Sequence, residues 1–248
     1  MAECKLFDAP SGRQLAYHLV AGKKPGVVFF GGFKSDMNGS KATFLQAWAE
    51  MHGHSFLRFD YSGHGESSGE FTEGCIGAWA QDAIEIVQAL TKGPQIIVGS
   101  SMGGWIALLM ARAMPELFHG FIGVAAAPDF TEDSMWAGFD EAQRGALLSD
   151  GHIELASEYE DSPYIITRRL IEDGRRQLVL RSPLSLPFPV RLLHGTEDAS
   201  VDLSVPLHLL KHASGPDIRL TLAKGADHSF SSVECLALIE KTVAELVA

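Results

Sequence analysis

A mostly parallel α/β sheet of eight strands, with helices on both faces and a small helical cap inserted after the sixth strand, is the fold class this 248-residue sequence predicts. Three observations carry that expectation. Short, continuous apolar runs bounded by turn residues recur along the chain, as in strands covered on both faces. Segments with apolar residues three and four apart lie between them, as in amphipathic helices. The length suits one substantial core, so residues 1–248 are read as a single domain with the cap at about 129–189.

Taken in order, residues 4–7 and 14–20 carry polar positions and lie close together, as an antiparallel ribbon does. The run 27–30 (VVFF) is a buried strand, and 41–51 is a helix. Strand 55–60, helix 76–90, strand 96–99 and helix 103–114 continue the alternation, and 121–125 is the sixth strand. Residues 129–189 then separate two apolar strands by far more than the short connections of a compact domain. Within them, 140–148 reads as a helix. Ser162-Pro163 starts another helix running to about Asp173, and the prolines of "SPLSLPFP" exclude regular structure at the end. Strands 190–194 and 218–222 and a final helix 234–247 close the chain, which has no internal repeat or low-complexity segment.

Composition removes several function classes. With 46% hydrophobic and 21% charged residues the chain reads as a soluble globular protein. Acidic residues outnumber basic ones by 31 to 20, a formal charge of −11, and no lysine or arginine run offers a footprint for nucleic acid. Cys4, Cys75 and Cys235 are far apart without C-x-x-C spacing, so neither a disulfide framework nor a zinc site is expected. A reducing cytoplasm is the expected location. The opening "MAECKLFDAP" has no basic segment followed by an apolar run, and no later run reaches the roughly 18 apolar residues of a membrane span. The pattern fixes no oligomeric state.

The stretch "IIVGSSMGGWIALLMA" begins as a strand and ends as a helix, with two serines and three glycines at the join. Only Ser101 has glycine two before and two after it, the G-x-S-x-G pattern at a strand-to-helix turn. A serine there sits on a strained backbone with its hydroxyl above the carboxyl ends of the strands, and Gly99 and Gly103 are needed where a Cβ would collide. A neutral hydroxyl is a poor nucleophile, so a histidine base and an orienting carboxylate must follow in the order Ser, Asp, His. In "VRLLHGTEDASV" Asp198 lies just past an apolar strand, with Glu197 and Asp202 as alternative acids. In "LAKGADHSF" His228 lies in a loop between the last strand and the final helix. His194, ending its strand, reads as structural, His64 as a loop residue, and Asp227 as a turn residue. For the oxyanion, Gly31 and Gly32 in "VVFFGGFKSDM" let the backbone turn so that the amide of Phe33 points inward, and the amide of Met102 is the second donor.

With those residues in place, the chain resembles the α/β-hydrolase superfamily over nearly its whole length. "GGFKSDMNGSKA", "RFDYSGHGESSG", "GPQIIVGSSMGGW", "PVRLLHGTED" and the late "DH" are similar to the branch of palmitoyl-protein thioesterases and acyl-glucuronide esterases and their bacterial relatives. That resemblance implies a hydrolase of esters and thioesters, with Ser101 as nucleophile, Asp198 as acid and His228 as base, needing no metal or organic cofactor. The chain departs from the branch at Val201-Asp202, where valine-proline is usual, and at Ser229, where arginine is usual. The expected partner is a small-molecule or acyl ester or thioester substrate. An acyltransferase or perhydrolase using the same triad, and a non-catalytic ligand-binding module, are the alternatives. Met135, Trp136 and Phe139 are candidate walls of an acyl pocket or, as apolar residues at helical spacing, simply packing, and Arg168, Arg169, Arg175 and Arg176 a basic patch or a solvated helix face.

Overall fold

The computed structural model describes residues 4–155 and 163–248. In chain order the elements are β1 (Lys5–Asp8), β2 (Gln14–Val20), β3 (Lys23–Phe30), α1 (Ser40–His52), β4 (His54–Phe59), α2 (Ile76–Leu90), β5 (Gln95–Ser100), α3 (Met102–Ala113) and β6 (Phe118–Val124). They continue with α4 (Glu141–Asp150), β7 (His152–Leu155), β8 (Tyr164–Thr167), α5 (Arg168–Arg176), β9 (Val190–Gly195), α6 (Ser204–His212), β10 (Ile218–Ala223) and α7 (Val233–Val247). Eight strands form one sheet in the order β1-β2-β4-β3-β5-β6-β9-β10. β1 and β2 are the antiparallel ribbon expected from their polar positions, β2 pairs antiparallel with β4, and every other pairing in the sheet is parallel.

The apolar strands hide a two-residue period that only the packing reveals. Val28, Phe30, Ile97 and Phe121 point to one face, where Trp79 and Ile86 of α2 and Trp105 and Ile106 of α3 meet them. Val27, Phe29, Ile96, Val98 and Ile122 point to the other, against Leu45 and Trp48 of α1 and Ile239 and Val243 of α7. Each large side chain removed from water contributes about 1.5–3 kcal/mol, so both faces hold the central strands in place. Those strands carry the candidate site at their carboxyl ends.

Between β6 and β9 lie a π-helical turn (Thr131–Trp136), α4, the β7–β8 ribbon and α5. α4 starts at the predicted position because Asp140 and Gln143 form a capping box. The predicted helix from Ser162-Pro163 to about Asp173 is corrected: Ser162 lies outside the described residues, and Tyr164–Thr167 is a strand paired antiparallel with β7. The β-branched pair Ile165-Ile166 favours that ribbon, which buries Ile166 opposite Ile153. α5 begins only where Thr167 caps it through the Leu170 amide. The segment is thus ribbon as well as helix. Its two ends meet at buried Asp129, which accepts from the amides of Val179 (2.8 Å) and Leu180 (3.0 Å) and from Arg181 Nη1 (3.1 Å). α6 has no counterpart in the sequence reading. Its Pro206 falls in the first turn, where no intrahelical donor is required.

Candidate active site

Ser101 ends β5 and begins α3, and its backbone is strained, with φ 52° and ψ −118°. L-residues avoid that region, so the surroundings must over-determine it. They do so on both sides: Ser101 N donates to Val124 O (2.9 Å), and its carbonyl accepts from Gly104 N (2.9 Å) and Ala127 N (3.1 Å). A Cβ on Gly99 would collide with the Gly103 carbonyl, and one on Gly103 with the carbonyls of Phe30 and Gly31. The expected strain and close approach are therefore both present at this turn.

Three distant loops converge on the serine hydroxyl. His228 Nε2 lies 3.1 Å from Ser101 Oγ, and His228 Nδ1 lies 2.8 Å from Asp198 Oδ2. Asp198 Oδ1 accepts from the amides of Ser200 (2.9 Å) and Val201 (2.8 Å). Although the Asp198 side chain is wholly buried, which by itself raises a carboxyl pKa, His228 and the backbone donors outweigh that and hold it below the usual range. An ionised Asp198 only accepts, so the His228 proton sits on Nδ1 and the Nε2 lone pair faces Ser101. Of the alternative acids, Glu197 is exposed and Asp202 accepts from Ser204 N (2.8 Å) at the start of α6. Asp198 is the one against the imidazole.

The loops are knit to one another. Glu197 N donates to Ala226 O (3.0 Å), tying the acid loop to the histidine loop. Asp227 Oδ1 accepts from Phe230 N (3.1 Å) and Ser229 Oγ (3.0 Å), the turn role its sequence position implies. Lys41 Nζ donates to Ser229 O at 2.5 Å, bracing the residue that follows His228. Buried His194 donates from Nε2 to Val201 O (3.0 Å) and stands 3.7 Å from Asp198 Oδ2, behind the acid. Burial lowers its pKa, with Asp198 opposing that in part.

On the opposite side, Met102 is the first residue of α3, so its amide has no intrahelical acceptor. Gly32 comes so near that an added Cβ would stand 3.5 Å from Ser101 Cβ, which sets the Phe33 segment beside the hydroxyl. A cavity of about 490 Å³ opens over these groups, lined among others by Phe33, Lys34, Lys41, Phe130, Met135 and Tyr164. Of the three candidate walls, Met135 lines this cavity. Trp136 is instead covered by Arg175 (4.4 Å) and Arg144 (5.2 Å), and Phe139 is packed in the core. Arg175 pairs with Glu132, Arg176 with Asp173 and Arg168 with Glu172, so those three are spent on surface pairs. Arg169 lines a different cleft, beside Arg13. The cationic groups lining the cavity are Lys34 and Lys41, which the sequence reading did not single out.

The sequence profile of the alpha/beta hydrolase family matches residues 27–234. The chain belongs to the α/β hydrolases. This hydrolase is 36% identical over 239 residues to palmitoyl-protein thioesterase ABHD10, mitochondrial, of Rattus norvegicus, covering 96% of its own length and 80% of the relative's. Among solved structures, a hydrolase from Agrobacterium vitis S4 superposes with a TM-score of 0.96 at 32% identity and covers 100% of both chains. Mouse alpha/beta hydrolase domain-containing protein 10 gives 0.92 at 33% identity, covering 99% of this chain and 98% of its own. The rat relative is mitochondrial by name, which does not support the expected cytoplasmic location. Among the described residues of the hydrolase, no helix is long and apolar enough to cross a membrane.

Proposed function

We propose that this α/β hydrolase cleaves carboxylic esters and thioesters through an acyl-enzyme on Ser101. The observation that carries the reading is the unbroken run of contacts from Asp198 Oδ2 to His228 Nδ1 and from His228 Nε2 to Ser101 Oγ. As Ser101 Oγ attacks the substrate carbonyl, His228 Nε2 takes its proton and the carbonyl electrons move onto oxygen. The amides of Phe33 and Met102 stabilise that oxyanion, and Asp198 stabilises the imidazolium. Collapse of the tetrahedral intermediate breaks the bond to the alcohol or thiol, which leaves with the proton from His228. Water then enters by the reverse logic: His228 removes its proton, the acyl–Oγ bond breaks, and the carboxylic acid departs while Ser101 recovers its hydrogen. The thioester half of the proposal draws support from the names of the ABHD10 relatives. The aromatic and aliphatic walls of the cavity, Phe29, Phe33, Phe130, Met135 and Val201, suit an acyl chain.

The test is turnover of p-nitrophenyl esters and of acyl thioesters of increasing chain length by the wild type and by Ser101→Ala. Loss of at least about 10⁴ in kcat is expected in the variant, since removing a triad nucleophile leaves only binding and oxyanion stabilisation. Near-normal turnover by Ser101→Ala rejects the assignment. Products transferred to an added alcohol or to peroxide in preference to water would instead identify an acyltransferase or perhydrolase.

A further inference from the structure

The segment "RFDYSGHGESSG" belongs to the family resemblance, yet the reaction as described uses none of its side chains. Its geometry gives it a task. His64 is 4% exposed and is enclosed by the rings of Tyr61 (5.6 Å), Phe71 (5.2 Å) and Trp79 (5.0 Å). Its Nε2 accepts a hydrogen bond from the Lys34 amide at 3.2 Å, and its Nδ1 lies 3.2 Å from Ser62 O. An amide can only donate and a carbonyl can only accept, which assigns the tautomer: the proton is on Nδ1, and the ring is neutral. Burial pulls the His64 pKa down to about 4, against a smaller opposing effect of the Ser62 carbonyl, so the acceptor survives across the neutral range.

Lys34 immediately follows Phe33, and it sits at φ 57° in the left-handed region. Nothing about a lysine favours that conformation, so the contacts of the loop must impose it. His64 holds the peptide between Phe33 and Lys34 at one end. At the other, Asp60 Oδ1 accepts from Met37 N (2.6 Å), and Arg58 Nη1 donates to Met37 O (2.6 Å) and Asn38 Oδ1 (2.7 Å). Gly65 lets the motif fold tightly onto itself, because a Cβ there would collide with the Asp60 carboxylate. Phe71 and Trp79 touch both the His64 ring and the Phe33 ring, joining the two segments by packing as well as by hydrogen bonds.

We infer that His64 is a positioning residue for the oxyanion loop: its neutral imidazole, accepting from the Lys34 amide, fixes the backbone on which the Phe33 amide meets the developing oxyanion. The inference rests on the reading of Ser101 as nucleophile and Phe33 as donor. It differs from a base or nucleophile role because His64 never exchanges a proton in the cycle; it holds a donor where negative charge appears. Its loss should therefore weaken transition-state binding more than substrate binding.

The test compares full-length wild type, His64→Leu and His64→Gln after titrating active sites with a fluorophosphonate, so that misfolded protein is not counted. His64→Leu should lose about 10–100-fold in kcat with little change in KM, a fraction of what removing an oxyanion donor costs. Affinity for an alkyl trifluoromethyl ketone, whose adduct with Ser101 carries an oxyanion, should fall in parallel with kcat/KM. His64→Gln, whose side-chain oxygen can accept from Lys34, should recover most of the loss. A titrated kcat for His64→Leu within about threefold of wild type overturns the inference, and so does a loss that glutamine does not repair or that appears only in KM. For the case in which His64→Leu does not fold, ¹⁵N NMR of wild-type imidazoles is the second readout. An unprotonated His64 Nε2 at neutral pH is expected, and a protonated one overturns the inference. Ser101→Ala in the same assay separates the two ideas, because full activity there defeats the underlying mechanism whatever His64 does.

Discussion

Ser101 is held at φ 52° by hydrogen bonds to both its amide and its carbonyl, and backbone groups fix several of its neighbours as well. Asp198 reaches His228 with one oxygen while two amides hold the other, and His64 accepts from an amide next to the proposed oxyanion donor. His64 also leaves a signature in stability. It is neutral in the folded state down to about pH 4, whereas in the unfolded chain it titrates near 6.5. Between those values the unfolded state binds a proton that the folded state does not, so His64 makes stability fall as pH drops from about 6.5 toward 4. The excess loss should reach about 3 kcal/mol and level off below that window. Urea unfolding of wild type and His64→Gln across pH 3.5–8 measures it as a fall in wild-type stability relative to the variant toward low pH, and a pH-independent difference would contradict the burial of a neutral ring. Ser101, Asp198 and His228 were legible because their order and their places at strand ends are a pattern in the sequence. The roles of His64 and Lys41 were not: both lie in stretches that carry the resemblance, but each acts on a backbone group, which any residue supplies and which leaves no mark on the partner's sequence.

At the scale of elements, the β5–α3 turn and the loop after β3 are packed so closely that one added methyl group has no room. Gly103→Ala would gain about 1 kcal/mol in helix propensity. Its Cβ, however, would run into the carbonyls of Phe30 and Gly31, backbone atoms in a buried strand end that cannot swing aside. The collision should win, with a net loss on the order of 2 kcal/mol in urea unfolding and a fall in active-site-titrated kcat as the Phe33 segment is pushed from Ser101. A variant more stable than wild type would show that the two elements part more easily than their packing implies. The sheet strands and α1, α2, α3, α4 and α7 were readable from apolar period and capping residues. β8 was misread as helix and β7 went unassigned because a four-residue strand is too short to display a period, and the stability of each comes from pairing with the other. α6 escaped notice because nine residues with a proline in the first turn carry a weak local signal.

Across the whole molecule, the parallel strands deliver three loops to one end of the sheet: the oxyanion segment after β3, the serine turn after β5 and the acid loop after β9; the histidine follows β10. That convergence explains why residues 101, 198 and 228, far apart in sequence, stand within hydrogen-bond reach. The charge pattern is local too, for a chain of net charge −11 lines the cavity over Ser101 with Lys34 and Lys41 against Asp36, a balance that total composition conceals. The arginines of α5, read as a basic patch or a solvated helix face, pair largely with carboxylates of the same segment and do not line the cavity. The proposed chemistry requires that the folded chain make one hydroxyl reactive. The most direct measurement is mass-spectrometric mapping of the site that a fluorophosphonate modifies in the native protein at neutral pH. One adduct on Ser101, lost when the protein is unfolded before labelling, is the predicted result. Labelling of another residue at equal rate, or none on Ser101, would contradict it.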